Sequence, residues 1–169
     1  MIYVANKTYD CIAFPSKGIG TGLAKLKEKA PNTFDYLFMA LYFTFSFDNR
    51  KGKFIDTNKS CSIHYDFTHV KRKTVDRLSV ELLRDNPNCL FVYGDNVLRY
   101  GKRGQAIIRD EPNAFGIATK LKPNTSPDAY MTDKDSYRNN QIVISKDIRW
   151  IIANLNVTPY KYYNQGEYV

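Results

Sequence analysis

The sequence predicts one three-layer α/β domain built on a mixed central sheet. Three observations point there. Short strand-like runs alternate with stretches of helical periodicity. One run, Leu90 to Tyr93, is almost continuously apolar, as a central strand covered on both faces must be. Two glycine-rich stretches each follow a strand-like run and lead into a helical pattern. At 169 residues the chain fits a single domain, 1–169, long enough to bury a core without staples.

Ile2 to Ala5 and Cys11 to Phe14 read as strands. Leu23 to Leu26 begins a short helical turn. Pro31 suits the first turn of the next helix, with Phe34, Leu37, Phe38 and Leu41 on one face, and that helix ends before Asp48. From Asn49 to Ser60 the chain is polar and basic and reads as a linker or exposed loop; residues 48–73 are the only seam in sight. Ile63, Tyr65 and Phe67 alternate with polar neighbours, as in a half-buried strand. Val75, Leu78 and Leu82 mark a helix that stops near Asn86-Pro87. After the central strand, Gln105 to Ile108 is helical and Phe115 to Thr119 is a strand. Lys120 to Asp133 is a loop, Asp135 to Asn154 a helix, and Thr158 to Val169 a last strand or hairpin.

The two glycine stretches are Gly18-Ile19-Gly20-Thr21-Gly22-Leu23 and Gly94-Asp95-Asn96 with Gly101-Lys102-Arg103-Gly104-Gln105-Ala106. Without Cβ atoms the backbone can approach a phosphate closely, and a helix N-terminus adds a favourable dipole. Two such loops in a small chain indicate a ligand with a pyrophosphate at its centre. A strand-to-helix turn without a ligand remains the alternative for the first loop, and an Asx turn for the second.

The formal charge is +8, much of it in Arg50, Lys51, Lys53, Lys59, Lys71, Arg72, Lys73, Arg77 and Arg84. A solvated basic face accounts for this; attraction to nucleic acid or an anionic ligand is the other reading. Cys11, Cys61 and Cys89 are odd in number and far apart, and read as reduced, buried thiols of a cytoplasmic protein. His64 and His69 would point to opposite faces of a strand, so no metal is expected, and no cofactor. Phe34 to Phe47 is too short to span a bilayer, and no secretory signal pattern opens the chain; no membrane partner is expected.

Arg84 to Lys120 resembles a family of small, mostly uncharacterised bacterial and phage proteins. The shared pattern is an apolar strand, Gly94-Asp95-Asn96, Gly101, Gly104-Gln105-Ala106, Arg109, Glu111, Asn113-Ala114 and Gly116-Ile117-Ala118-Thr119-Lys120. The same family carries the pattern seen at Gly18 to Leu26. Both loops also resemble macro domains, the ADP-ribose-binding α/β modules, and within them the branch of ADP-ribosyl-glutamate and ADP-ribosyl-DNA hydrolases. The resemblance implies a macro-like fold, an ADP-ribose-like nucleotide as ligand, and cytoplasmic action, in the host if the protein is phage-encoded. Gly18 to Leu23 would hold the pyrophosphate, Gly101 and Gly104 would close over a ribose, and Asp95 and Asn96 would bond its hydroxyls. Gln105 would meet a phosphate or simply cap its helix, and Lys102 and Arg109 would neutralise a phosphate or stay solvated. Tyr93, Tyr100 and Phe115 would stack on a base or belong to the core.

Two departures stand out. The Gly-Asp-Asn loop precedes the Gly-Thr-Gly loop in the resembled families and follows it here, which implies circular permutation, with residues 48–73 as the joint and Met1 close to Val169. The hydrolase branch has a carboxylate directly after Gly-x-Gly-Leu; here that position is Ala24. A hydrolase of ADP-ribosylated targets would then need Asp95 as its base. A protein that sequesters an ADP-ribose-derived signal, as in phage counter-defence, needs none. A basic nucleic-acid-binding module is the third reading. Asn113 and Lys120 belong to the shared pattern without an assigned role, and the oligomeric state stays open.

Overall fold

A computed structural model describes residues 8–55 and 65–159. Along the chain run β1 (Cys11–Pro15), α1 (Leu26–Lys29), α2 (Pro31–Phe45), β2 (Phe47–Asp48), β3 (Lys53–Phe54), β4 (Tyr65–Asp66) and β5 (Lys71–Val75). Then follow α3 (Val80–Asp85), β6 (Cys89–Asn96), β7 (Ala114–Lys120), α4 (Tyr137–Ala153) and β8 (Thr158–Pro159), with 3₁₀ turns at Gly104–Ile108 and Pro127–Ala129.

Four strands form the main sheet in the order β5-β1-β6-β7, and every pairing in it is parallel. Among the described residues this corrects the expected mixed sheet. Each strand of it after β1 is reached by a long crossover, whereas the tight β2–β3 hairpin and the β4–β8 pair stand outside it. Alternate residues feed two cores. Ile12, Phe14, Leu90, Val92 and Ile117 pack with Leu37 and Leu41 of α2 and Ile144, Ile148 and Ile151 of α4. Ala13, Phe91 and Tyr93 pack on the other side with Leu83 of α3 and with Ala106 and Ile108. The central-strand reading of Leu90 to Tyr93 holds because β6 is paired on both edges and covered on both faces.

Pro31 opens α2 as the sequence indicates. Its free N–H groups are capped by a distant side chain: Asp133 accepts from Asn32 N at 2.7 Å and Thr33 N at 2.9 Å. Val75 is not helical. It ends β5, and α3 starts from Ser79, whose Oγ accepts Leu82 N at 3.1 Å. The run Lys71-Arg72-Lys73 hid a strand because an edge strand tolerates charge. The supposed linker is also structured at its start, where residues 49–55 make the β2–β3 turn and strand and Asn49 is buried. The strand at Ile2 to Ala5, the proximity of Met1 and Val169, Cys61, His64 and residues 160–169 lie outside the described residues.

Cys11 and Cys89 are register partners on β1 and β6, with Cα atoms 4.4 Å apart, and form a disulfide. This corrects the reading of reduced thiols, and with it the cysteine argument for a cytoplasmic location. Among the described residues, no helix is long and apolar enough to cross a membrane, and no cluster of three or more His, Cys, Asp or Glu could hold a metal ion.

Candidate functional site

The sheet order creates the site. The chain leaves β1 for β5 on one side and leaves β6 for β7 on the other, so the loops beyond the C-terminal ends of β1 and β6 diverge. Open parallel sheets form their ligand clefts at such switch points. The two glycine stretches are those diverging loops. Between them lies a cavity of about 640 Å³, lined by Ser16, Lys17 and Gly20 to Ala24 from the first loop. Gly94 to Asn96, Tyr100, Gly101 and Arg103 to Ala106 line it from the second, joined by Arg50, Thr119, Lys120 and Pro123.

In the first loop Gly18 and Gly20 have φ of +83° and +76°, where a side chain is strained. A Cβ on Gly18 would also lie 2.5 Å from the Asn49 carbonyl oxygen. Asn49 grips this turn: its Oδ1 accepts Ile19 N at 2.7 Å and its Nδ2 donates to Ile19 O at 3.0 Å. Gly18 N donates to Pro15 O. The N–H groups of Gly18 and Ile19 are therefore engaged within the protein, and neither residue lines the cavity. The next five, from Gly20, Thr21, Gly22, Leu23 and Ala24, have no acceptor among the described residues. Lys25 N and Leu26 N close the loop behind them by donating to Gly22 O and Gly20 O. The cradle is thus shifted two residues onward from the expected Gly18 start. With only four residues, α1 supplies little helix dipole, so what this loop offers is its main-chain amides.

The second loop is held by side chains expected to touch ligand. Gln105 clamps the two loops together, its Oε1 accepting Gly94 N at 2.8 Å and its Nε2 donating to Gly18 O at 3.0 Å. Asp95 accepts a bidentate pair from Arg109, at 3.0 and 2.5 Å, and also a bond from Arg99 at 3.3 Å. Its side chain is 3% exposed. Arg109 donates further to the carbonyls of Gly101 and Tyr100, fixing the loop, and does not line the cavity. Lys102 pairs with Asp110 at the surface and also stands outside the lining. Asp95 is therefore a structural hub, and Arg109 and Lys102 are not placed to meet a phosphate.

Asn96 lines the cavity. Its Nδ2 donates to Tyr100 O at 2.8 Å, and its buried Oδ1 has no hydrogen-bond partner. Gly101 and Gly104, with φ of +90° and +60°, make the bends that bring Tyr100 and Arg103 to the cavity. A Cβ on Gly104 would lie 3.0 Å from Leu23, where the two loops meet. Tyr100 is exposed and lines the cavity. Tyr93 is core, and burial together with the nearby Asp95 charge pushes its hydroxyl up to about 12. Phe115 packs edge-on against Tyr9. Asn113 is structural, donating to the carbonyls of Leu83, Asn86 and Cys89.

Sequence reasoning missed Asn49, Thr119 and Arg103, and left Lys120 without a role. Lys120 is 8% exposed at the end of β7. Its ammonium donates to Asn124 O at 2.5 Å and sits 4.8 Å from the Tyr130 ring centroid. Burial lowers its pKa, and the Arg103 charge lowers it further. Spacing offered no signal for these residues, because separate elements bring them together.

A family model of unknown function, DUF7831, matches residues 1–40 and 73–163. The chain belongs to this family. Both glycine loops fall inside the matched blocks, whereas Asn49, which holds the first loop, falls in the interval between them. No curated protein and no solved structure matches the chain.

Proposed function

We propose that this protein binds ADP-ribose or a related nucleotide in the switch-point cavity, on a macro-like and circularly permuted fold. The row of five acceptor-free N–H groups from Gly20 to Ala24 carries this reading. It would hold the pyrophosphate, while Asn96 Oδ1 accepts from a ribose hydroxyl and Tyr100 offers its ring to the base. Charge-assisted bonds contribute roughly 1.5–3 kcal/mol each, so three or four of them, offset by ordering costs, give about −8 kcal/mol, a micromolar affinity.

Binding without turnover is the favoured form. Ala24 supplies no carboxylate beside the cradle, and the Asp95 charge is committed to two guanidinium groups. Sequestration of an ADP-ribose-derived signal fits these facts better than hydrolysis of an ADP-ribosylated target. A nucleic-acid role for the basic segment has less support, because Arg50 and Arg72 lie over Phe38 and Phe54.

Calorimetric titration with ADP-ribose, NAD and cyclic ADP-ribose, followed by chromatography of the ligand, tests the reading. Micromolar binding with intact ligand is expected. Turnover would restore the hydrolase, and absence of binding to all three would remove the nucleotide. Gly22 is the position for a blocking charge, since a Cβ there meets nothing within 4 Å. Gly22→Glu should weaken ADP-ribose by about 30-fold or more while leaving stability within about 0.5 kcal/mol. Unchanged affinity in that variant moves the pyrophosphate elsewhere.

A further inference from the structure

Lys120 is hard to explain as part of a finished protein. Its side chain is mostly covered and its ammonium part-buried, yet no carboxylate among the described residues pairs with it. A surface lysine avoids this by burying its stem and leaving its head in water. Lys120 instead turns its head inward to one carbonyl and one aromatic ring. Arg103, of the same sign, acts on it electrostatically and has no carboxylate partner among the described residues either. Among the described residues the only carboxylate lining the cavity is Asp95, which is held by Arg99 and Arg109. A largely covered charge without a counter-ion is costly, and the exposed Arg103 adds like-charge repulsion from across the cavity wall. A ligand anion removes both penalties.

The place differs from the amide cradle. The cradle is main chain from the loop after β1, whereas Lys120 ends β7 and Arg103 stands in the loop after β6. The two adjoin, because a Cβ on Gly20 would lie 3.1 Å from Thr119, the residue before Lys120. A pyrophosphate on neutral amides leaves these side-chain charges unanswered.

We infer that Lys120 and Arg103 form a second anion subsite, so that the preferred ligand is a nucleotide bearing a phosphate beyond its pyrophosphate. This rests on the nucleotide reading above. The further phosphate could sit on a ribose or extend the phosphate chain, and the two probe pairs distinguish these. Calorimetry would compare ADP-ribose with its 2′-phosphate, and ADP with ATP, at low and moderate salt. One phosphorylated probe should bind about tenfold or more tightly than its partner, with a steeper loss in salt. Lys120→Met and, separately, the exposed-site change Arg103→Gln should each bring that ratio to within about twofold of unity. The gain should be present near neutral pH and fade as pH rises, earlier than for an ordinary lysine, because the Lys120 pKa is lowered. If ADP-ribose and ADP bind but neither gains from the extra phosphate, or the gain survives both substitutions, the subsite is overturned and the cradle stands. If none of the four binds, both readings fall.

Discussion

Gln105→Glu isolates the contact that ties the two glycine loops together. The carboxamide uses both ends, accepting from Gly94 N at 2.8 Å and donating to Gly18 O at 3.0 Å. Glutamate keeps the shape and the acceptor but, when ionised, sets an oxygen against the Gly18 carbonyl. The lost hydrogen bond and the unanswered carbonyl cost about 1 kcal/mol each, or about 2 kcal/mol together. If the first loop relieves that strain by moving off β6, affinity for ADP-ribose falls about 30-fold. The same energy favours the neutral carboxyl, raising its pKa above the usual carboxylate range.

Once protonated, the acid regains a donor for Gly18 O. The restored contact is present below the raised pKa and lost as pH rises through it. Calorimetry of the variant should therefore show affinity within about threefold of wild type at about pH 5 and the full loss at about pH 7.5. Wild type, with nothing titrating at this position, controls for the rest of the site. Equal losses at both pH values would mean that the substitution merely damages the loop. No loss at either would mean that the spacing between the loops does not matter to the ligand. Either result refutes the clamp.

Two other expectations concern the frame. Asp95→Asn leaves the half-buried Arg109 without its bidentate partner and should reduce stability by about 2 kcal/mol in urea unfolding, or roughly 4–8 °C in Tm. An unchanged midpoint would free Asp95 from its structural role and reopen it as a base. The Cys11–Cys89 link joins residues 78 apart in sequence and should contribute about 4 kcal/mol by restricting the unfolded chain. Alkylation in denaturant before reduction should leave Cys11 and Cys89 unmodified; their modification would show the link to be absent.

Much of this protein is determined locally and was legible as such. The apolar run Leu90 to Tyr93 makes a central strand wherever it folds, Pro31 starts a helix, and glycines at positions of positive φ make turns. These features depend on neighbours within a few residues. They sufficed to place both halves of the cavity wall and to mark Asn96, Gly20 and Gly22.

Tertiary structure decided which polar groups remain available, since that depends on partners far away in the chain. Asn49 takes up the Ile19 amide from 30 residues away, and Gln105 takes up the Gly18 carbonyl from 87. Asp95, Arg109 and Gln105 satisfy the protein itself, while Lys120 and Arg103 are brought to the cavity without a counter-ion. Strand pairing likewise turned the basic run at Lys71 into an edge of the sheet and set Cys11 beside Cys89. A sequence shows which residues can hydrogen-bond or carry charge; only the packed chain shows which of them are already satisfied.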